Sequence, residues 1–324
     1  MPTKLLMSPY LIACVCSLSS SIATATPIPV AIDAETYHVI QSADGLCLMP
    51  NGNDVAILDR ESKAIWALDI SGGVIRIIAE LTPPTIPSGV QANRIWSGDG
   101  RLFLDLTGEP YFLSIDVESR QVTDVLGFTR VVSMAAWRDG FIVIADLEQS
   151  RFALTNRELE ITGTYGSRCP TEPREEILAL ACFSSVGRAS DTNVLICDDL
   201  TGECAVMEAS SRSERVFRAA ESGWSMPAPE GANRITVQRR VMAVEGTPDG
   251  RMLVLCTATG IYGEPTLEVF GANGLISAIA LDRDYQRIAV LDDQRVVLLE
   301  PGPGFQASLL DIGSFEDAST GGRR

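Results

Sequence analysis

Aspartates recur at the ends of short apolar segments, and they are the first residues in this chain whose type and spacing could do chemistry. Carboxylate and amide oxygens are the ligands that hard cations such as calcium prefer. The recurring aspartates are Asp59, Asp105, Asp146, Asp198 and Asp292. Between them lie Asn93, Glu175, Glu176, Asn233 and Asn273. A group that recurs in nearly every repeat is typical of a structural turn acceptor, so the non-repeating Asn93, Glu176 and Asn233 are the candidate metal ligands.

A second set of residues is suited to recognition. The longest insertions between apolar segments are Thr82–Asn93, Glu221–Asn233 and Thr257–Pro265. Aromatic, methionine and arginine side chains in or beside them have the composition of binding hot spots. The candidate ligand-binding residues are Trp224, Met226, Tyr262, Arg94 and Arg234. The alternative for Trp224 is that it anchors its long loop by packing.

Several kinds of chemistry are disfavoured by composition. His38 is the only histidine, which argues against a Ser-His-Asp triad or a histidine-rich metal site. Lys63 is the only lysine besides Lys4, and no phosphate-loop motif is present. The net charge of −16 repels phosphate backbones, so nucleic acid is not an expected partner.

The first 25 residues have the pattern of a secretory signal. Lys4 precedes an apolar run, and small residues follow up to Ala25. We therefore predict a signal peptide over residues 1–25, an N-terminal extension over 26–35 and an exported, periplasmic or extracellular protein. Leu11–Cys14 also resembles a lipoprotein signal, so anchoring through Cys14 is the alternative. No later apolar run is long enough to span a membrane.

Six of the eight cysteines follow this segment. They are Cys47, Cys169, Cys182, Cys197, Cys204 and Cys256. An exported chain permits disulfides, but the sequence does not fix the pairing. Cys197 and Cys204 flank one predicted hairpin turn and are the first pair to test. The alternative is that the cysteines are small buried hydrophobic residues.

The segments that carry the aspartates form a repeat. In Val55–Asp59 and Ala64–Asp69 an apolar strand stops, turns and resumes, and Leu102–Asp105, Phe141–Asp146 and Asn193–Asp198 begin further units. Met252–Thr257 and Arg287–Asp292 complete the series. Each unit reads as about four strands, as in a β-propeller blade, whose faces are buried by stacking on its neighbours. We predict a six-bladed all-β propeller of four-stranded antiparallel blades over residues 36–313, with seven blades as the minor alternative and a disordered tail over 314–324.

The repeat resembles NHL-type six-bladed propellers, on segments such as Ile144–Asp146 and Leu267–Phe270. Three details of the blades follow from the repeat alignment. Leu275 begins the sixth inner strand, so the fifth blade lacks its outermost strand. Thr36–Ile40 supplies a strand that closes the ring. Ser184–Thr192 is a solvated loop.

Fold and composition together favour a binding scaffold that recognises a ligand or protein in the cell envelope through its loop-rich face. The alternative is a propeller hydrolase or lactonase that depends on a divalent cation, because some six-bladed lactonases hold calcium with Asp, Asn and Glu. Calcium is the only cofactor that this alternative implies.

Overall fold

The computed structural model describes most of the chain. It covers residues 22–24, 26–31, 40–83, 85–109, 111–126, 131, 133–137, 140–144, 150–167, 184–188, 193–198, 203–208, 214–218, 239–258, 265–271, 274–300 and 306–313. The regular structure in these residues is β-strand, arranged as five four-stranded sheets and one five-stranded sheet.

The first three sheets each use four consecutive strands joined by antiparallel pairing. Sheet I consists of β3 (Ala43–Leu48), β4 (Asp54–Asp59), β5 (Ala64–Asp69) and β6 (Ile75–Glu80). Sheet II consists of β7 (Ala92–Gly98), β8 (Arg101–Leu106), β9 (Tyr111–Asp116) and β10 (Val122–Leu126). Sheet III consists of β11 (Ser133–Trp137), β12 (Gly140–Ile144), β13 (Ser150–Asn156) and β14 (Ile161–Ser167).

The last three sheets follow the same order, with additions from the N-terminal segment. Sheet IV consists of β15 (Ser184–Arg188), β16 (Asn193–Asp198), β17 (Glu203–Glu208) and β18 (Glu214–Arg218). Sheet V consists of β19 (Arg239–Gly246), β20 (Met252–Ala258), β21 (Thr266–Gly271) and β22 (Gly274–Ala280), with β1 (Ile22–Thr24) added in parallel beside β22. Sheet VI consists of β23 (Arg287–Val290), β24 (Arg295–Glu300), β25 (Gln306–Asp311) and β2 (Ile28–Pro29).

The sheets stack as blades around a common axis. The first strand of each sheet contacts the first strand of the next, and β23 of sheet VI returns to β3 of sheet I. Apolar clusters fill the spaces between sheets; one of them joins Leu58 of sheet I to Leu104 of sheet II. All six residues of β4 are buried, because neighbouring sheets cover both of its faces. The prediction of an all-β propeller with four-stranded antiparallel blades is confirmed.

Two of the blade details are wrong. The described strands leave no seventh sheet, so the seven-bladed alternative is wrong. Leu275 does not start an inner strand: it lies in β22, the fourth strand of sheet V, beside Phe270. The connection between β21 and β22 is so short that the repeat pattern assigns β22 to the next unit.

The sixth repeat is out of register by one strand. The repeat pattern predicts Arg287–Val290 as a second strand like β4, but it forms β23, the first strand of sheet VI. Asp292 therefore lies in the turn between a first and a second strand. Asp59, by contrast, lies between a second and a third strand, so the two aspartates are at opposite ends of the ring.

The fourth strand of sheet VI comes from the other end of the chain. Ile28 and Pro29 pair with Leu309 and Ser308 of β25, and the Val30 amide donates to the Ala307 carbonyl at 2.8 Å. The predicted closing segment, Thr36–Ile40, lies outside the described residues except for Ile40, which is buried but not in a strand. The closing strand thus lies within the predicted N-terminal extension.

Ser184–Thr192 is not a loop throughout. Ser184–Arg188 forms β15, the first strand of sheet IV, and it pairs with β16. Its small and polar residues hide the strand pattern, because an innermost strand with little apolar character does not stand out in the sequence.

Candidate functional site

A cavity opens at one end of the central channel. We call this the hairpin end, because the first strand of each sheet turns there into the second. The cavity has a volume of about 530 Å³, and its described wall comes from the ends of β3, β7, β11, β19 and β23. Its lining includes Cys47, Met49, Trp96, Ser97, Glu245 and Thr247. Five sheets therefore contribute to one concave site of the size that small ligands occupy.

Three polar side chains in this wall come from different sheets. Burial raises the pKa of the Cys47 thiol; the Ser97 hydroxyl, hydrogen bonded to the sulfur, opposes this rise, and the negative charge of Glu245 adds to it. The thiol is therefore neutral at physiological pH. The site offers a neutral thiol, a hydroxyl and a carboxylate among apolar side chains.

Hydrogen bonds between turns hold the rim of the cavity. The Asp249 amide donates to the Asp293 carboxylate at 2.7 Å, and the Arg251 guanidinium donates to the Asp293 carbonyl. Arg251 also forms a salt bridge with Asp249 at 2.8 Å. These contacts join sheet V to sheet VI, so they fix the position of this part of the rim.

The predicted residues Asn93 and Arg94 lie at the opposite end, which we call the loop end. Both stand at the start of β7, and the backbone of Arg94 is paired with that of Asp105 on β8. Burial raises the pKa of Asp105, while the Arg94 charge and a hydrogen bond from Asn93 oppose the rise. Asn93 and Arg94 thus interact with the carboxylate of Asp105 in their own sheet.

The repeated aspartate is a structural acceptor where the structure describes it best. Asp59 is fully buried, and its carboxylate accepts hydrogen bonds from the backbone amides of Gln41, Ser42, Glu61 and Ser62 at 2.7–3.1 Å. Asp292 accepts from the amides of Gln294 and Arg295 in its own turn. The interpretation of these two aspartates as turn acceptors agrees with their contacts.

Most of the other predicted site residues lie outside the described part of the chain. They are Glu175, Glu176, Trp224, Met226, Asn233, Arg234, Tyr262 and Asn273, together with His38 and Asp146. Within the described residues, no three His, Cys, Asp or Glu side chains are grouped closely enough to hold a metal ion.

Cys47, Ser97 and Glu245 were not singled out from the sequence. A signal was available, because all three precede turns of related form: Asn51–Gly52, Asp99–Gly100 and Asp249–Gly250. Polar residues just before such turns interrupt the apolar first strands of sheets I, II and V. A single polar residue in an apolar strand is a weak signal, and the three residues come close together only in the folded ring.

A second, more open groove runs between sheets II and III. Its volume is about 730 Å³, and its lining includes Asp116, Asp124, Glu158, Glu160 and Ile161. Two of its four carboxylates form local contacts: Asp116 accepts from the Ser119 amide and hydroxyl, and Glu160 accepts from the Asn156 side-chain amide. The channel cavity is the better-defined candidate site.

Comparison with known proteins supports the fold. No family model matches the sequence, and no curated protein matches it. A calcium-binding protein, regucalcin, from Agrobacterium tumefaciens is 8% identical, with a TM-score of 0.53 over 90% of this chain and 97% of that chain. The RRP9 WD40 repeats are 10% identical, with a TM-score of 0.52 over 83% and 80%.

A protein of unknown function from Bacteroides thetaiotaomicron is also similar in structure. It is 10% identical, with a TM-score of 0.53 over 84% of this chain and 70% of that chain. Identities this low show a shared fold alone. Among the described residues, none forms a helix that is long and apolar enough to cross a membrane. The chain is therefore a β-propeller that is similar in fold to regucalcin and WD40 proteins.

Proposed function

We propose that this protein is an exported, NHL-like propeller of six blades that acts as a binding scaffold in the cell envelope. The cavity at the hairpin end carries the proposal, because the ends of five first strands converge on it. A site on packed strands is held more rigidly than one on loops. The contacts from β3 around to β23 and back to β3 support the six-bladed ring.

The lining favours a small ligand that is neutral or positively charged. Among the described lining residues, the ionisable groups are Cys47, Asp99 and Glu245. The thiol is neutral, and Asp99 pairs with Arg101 at the rim. Trp96 adds an aromatic surface, which suits an organic cation. The carboxylate of Glu245 adds negative charge to the wall itself, which favours a cation over an anion.

Matched organic ions test this proposal. Thermal unfolding is measured with a series of alkylammonium ions and with alkylcarboxylates of the same size. Stabilisation by the ammonium series, lost in Glu245→Gln, is the expected result. Glu80→Gln, on the exposed edge of sheet I, is the control and should keep the stabilisation. Equal responses to both series would contradict the assignment of the cavity.

Protein recognition at the loop end is the second part of the proposal. It rests on the sequence of the insertions that contain Trp224, Met226 and Tyr262, followed by Arg234, and on Arg94 at the start of β7. Trp224→Ala and Tyr262→Ala should leave the unfolding midpoint unchanged. A large loss of stability in either variant would identify that residue as a packing residue.

The second candidate function is a hydrolase or lactonase that uses a divalent cation, with Asn93, Glu176 and Asn233 as ligands. Its support is the calcium-binding regucalcin among the proteins of similar fold. Adding calcium should leave the thermal midpoint of a binding scaffold unchanged. A rise of several degrees that a chelator reverses would favour the hydrolase.

A further inference from the structure

Two cysteines lie directly opposite each other in sheet IV. β16 and β17 pair in antiparallel register, and this register places Cys197 against Cys204. Opposite residues in an antiparallel pair have Cα atoms about 4.5 or 5.5 Å apart, depending on the type of pair. A disulfide needs a Cα separation of about 4.4–6.8 Å. The backbone therefore brings these residues within bridging distance without any movement of the strands.

The same register position in other sheets shows what surroundings it provides. This position is a pair of opposite residues: one precedes the repeated Asp or Thr on the second strand, and the other is its partner on the third strand. In sheet I the pair is Leu58 with Ile65, and in sheet II it is Leu104 with Leu113. All four of these residues are buried. In sheets I and II the position is therefore an interior one, and in sheet IV the same register position holds two cysteines.

The other described cysteines do not compete for this pairing. Neither Cys47 nor Cys256 is in a disulfide. Cys256 occupies the equivalent position in sheet V, where its partner on the third strand is Thr266. The Thr266 hydroxyl is buried without a hydrogen-bond partner among the described residues. Sheet V thus contains half of the arrangement found in sheet IV.

We propose that Cys197 and Cys204 form a cross-strand disulfide that fastens the second and third strands of sheet IV. An S–S bond forms as the two thiols together lose two protons and two electrons. The electrons pass to a disulfide-bearing oxidant by thiol–disulfide exchange, which reduces that oxidant to a dithiol. The bond lies at the loop end, where β16 ends and β17 begins, and so it limits separation of the two strands there.

Peptide mapping of the full chain tests the bond. The purified protein is equilibrated in a glutathione buffer poised at about −200 mV, and free thiols are blocked with N-ethylmaleimide under denaturing conditions. Trypsin leaves both cysteines in the peptide Ala189–Arg212, and cleavage after Glu203 then separates them. We expect the two halves to remain joined until reduction. Maleimide on both cysteines before reduction, or a bond to Cys169 or Cys182, would overturn the proposal.

A variant in sheet V tests the geometric reason separately. Thr266→Cys completes the equivalent pair, so Cys256 should become linked to position 266 under the same conditions. In Cys197→Ser, Cys204 should instead be fully modified by maleimide. A wild-type bond without the engineered one would contradict the claim that register alone accounts for the pairing. Neither experiment depends on ligand binding or on export, so a negative result leaves the proposed function untouched.

Discussion

The backbone of Ile28 lies opposite that of Leu309, so a residue near the start of the chain completes the sheet formed by its end. Ile28 follows the predicted cleavage point after Ala25 by only a few residues. β1, in contrast, precedes that point and adds a fifth strand to sheet V, which has four strands without it. Removal of residues 1–25 would leave every four-stranded blade complete.

Truncations should separate these two strands. Loss of residues 1–25 should leave the free energy of unfolding unchanged. Loss of residues 1–31 also removes buried Pro27, the strand pairing and the Val30 contact with sheet VI, at a cost of about 2–3 kcal/mol. Urea unfolding of the two truncated chains measures the difference. Equal midpoints would mean that β2 does not hold the ring closed.

Asp59→Ala should be strongly destabilising. The substitution leaves four backbone amides without their buried acceptor, which predicts a loss of about 2–4 kcal/mol. Asp59→Asn keeps one acceptor oxygen and should lose less. The control is Asp116→Ala, which removes an exposed turn acceptor and should have a much smaller effect. Urea unfolding gives all three values, and a similar loss in Asp59→Ala and the control would contradict the role of Asp59.

Asp105→Asn should stabilise the protein at neutral pH. Burial raises the folded-state pKa of Asp105 above 3.8, so the ionised carboxylate is less stable in the folded chain than in the unfolded chain. The gain in unfolding free energy should be present above the folded pKa and fade as the pH falls through it towards 3.8. Urea unfolding from pH 7 down to pH 4 measures this trend. Asp124→Asn, an exposed change on β10, should show no such trend, and a gain that grew with acidity would refute the prediction.

Cys47 should react slowly in the folded protein. Because burial raises its thiol pKa, the thiolate fraction at pH 8 should be well below that of an ordinary cysteine. Timed labelling with a maleimide, followed by peptide mapping, gives the rate at this site. Labelling in urea is the control and should restore the ordinary rate. Rapid labelling of the folded chain would show that the thiol is not shielded at the cavity.

Local sequence pattern predicted much of the fold. Segments such as Val55–Asp59 and Leu102–Asp105 are buried on both faces, and their continuous apolar character identified the second strands. Asp59 ends one such strand, and its carboxylate accepts from the amides of the turn that follows. β15 escaped detection because Ser184–Arg188 lacks that apolar character.

Features that depend on contacts between distant parts of the chain could not be predicted in this way. Ile28–Pro29 is too short to stand out as a strand, and its partner β25 is at the other end of the sequence. This missing strand is also why the sixth repeat was aligned one strand out of register. The cavity also depends on contacts between distant parts of the chain, because Cys47, Ser97 and Glu245 lie close together only when sheets I, II and V stack in the ring.

Cross-linking of the two chain ends tests the closed propeller most directly. Ile28→Cys combined with Leu309→Cys places a pair of thiols at opposite positions of β2 and β25. Oxidation should join the two peptides within one molecule, as detected by mass mapping. Ile28→Cys with Gln306→Cys moves the second thiol about 10 Å along the strand and should remain reduced. Equal linkage in both variants, or none in the first, would contradict a ring closed by the N-terminal strand.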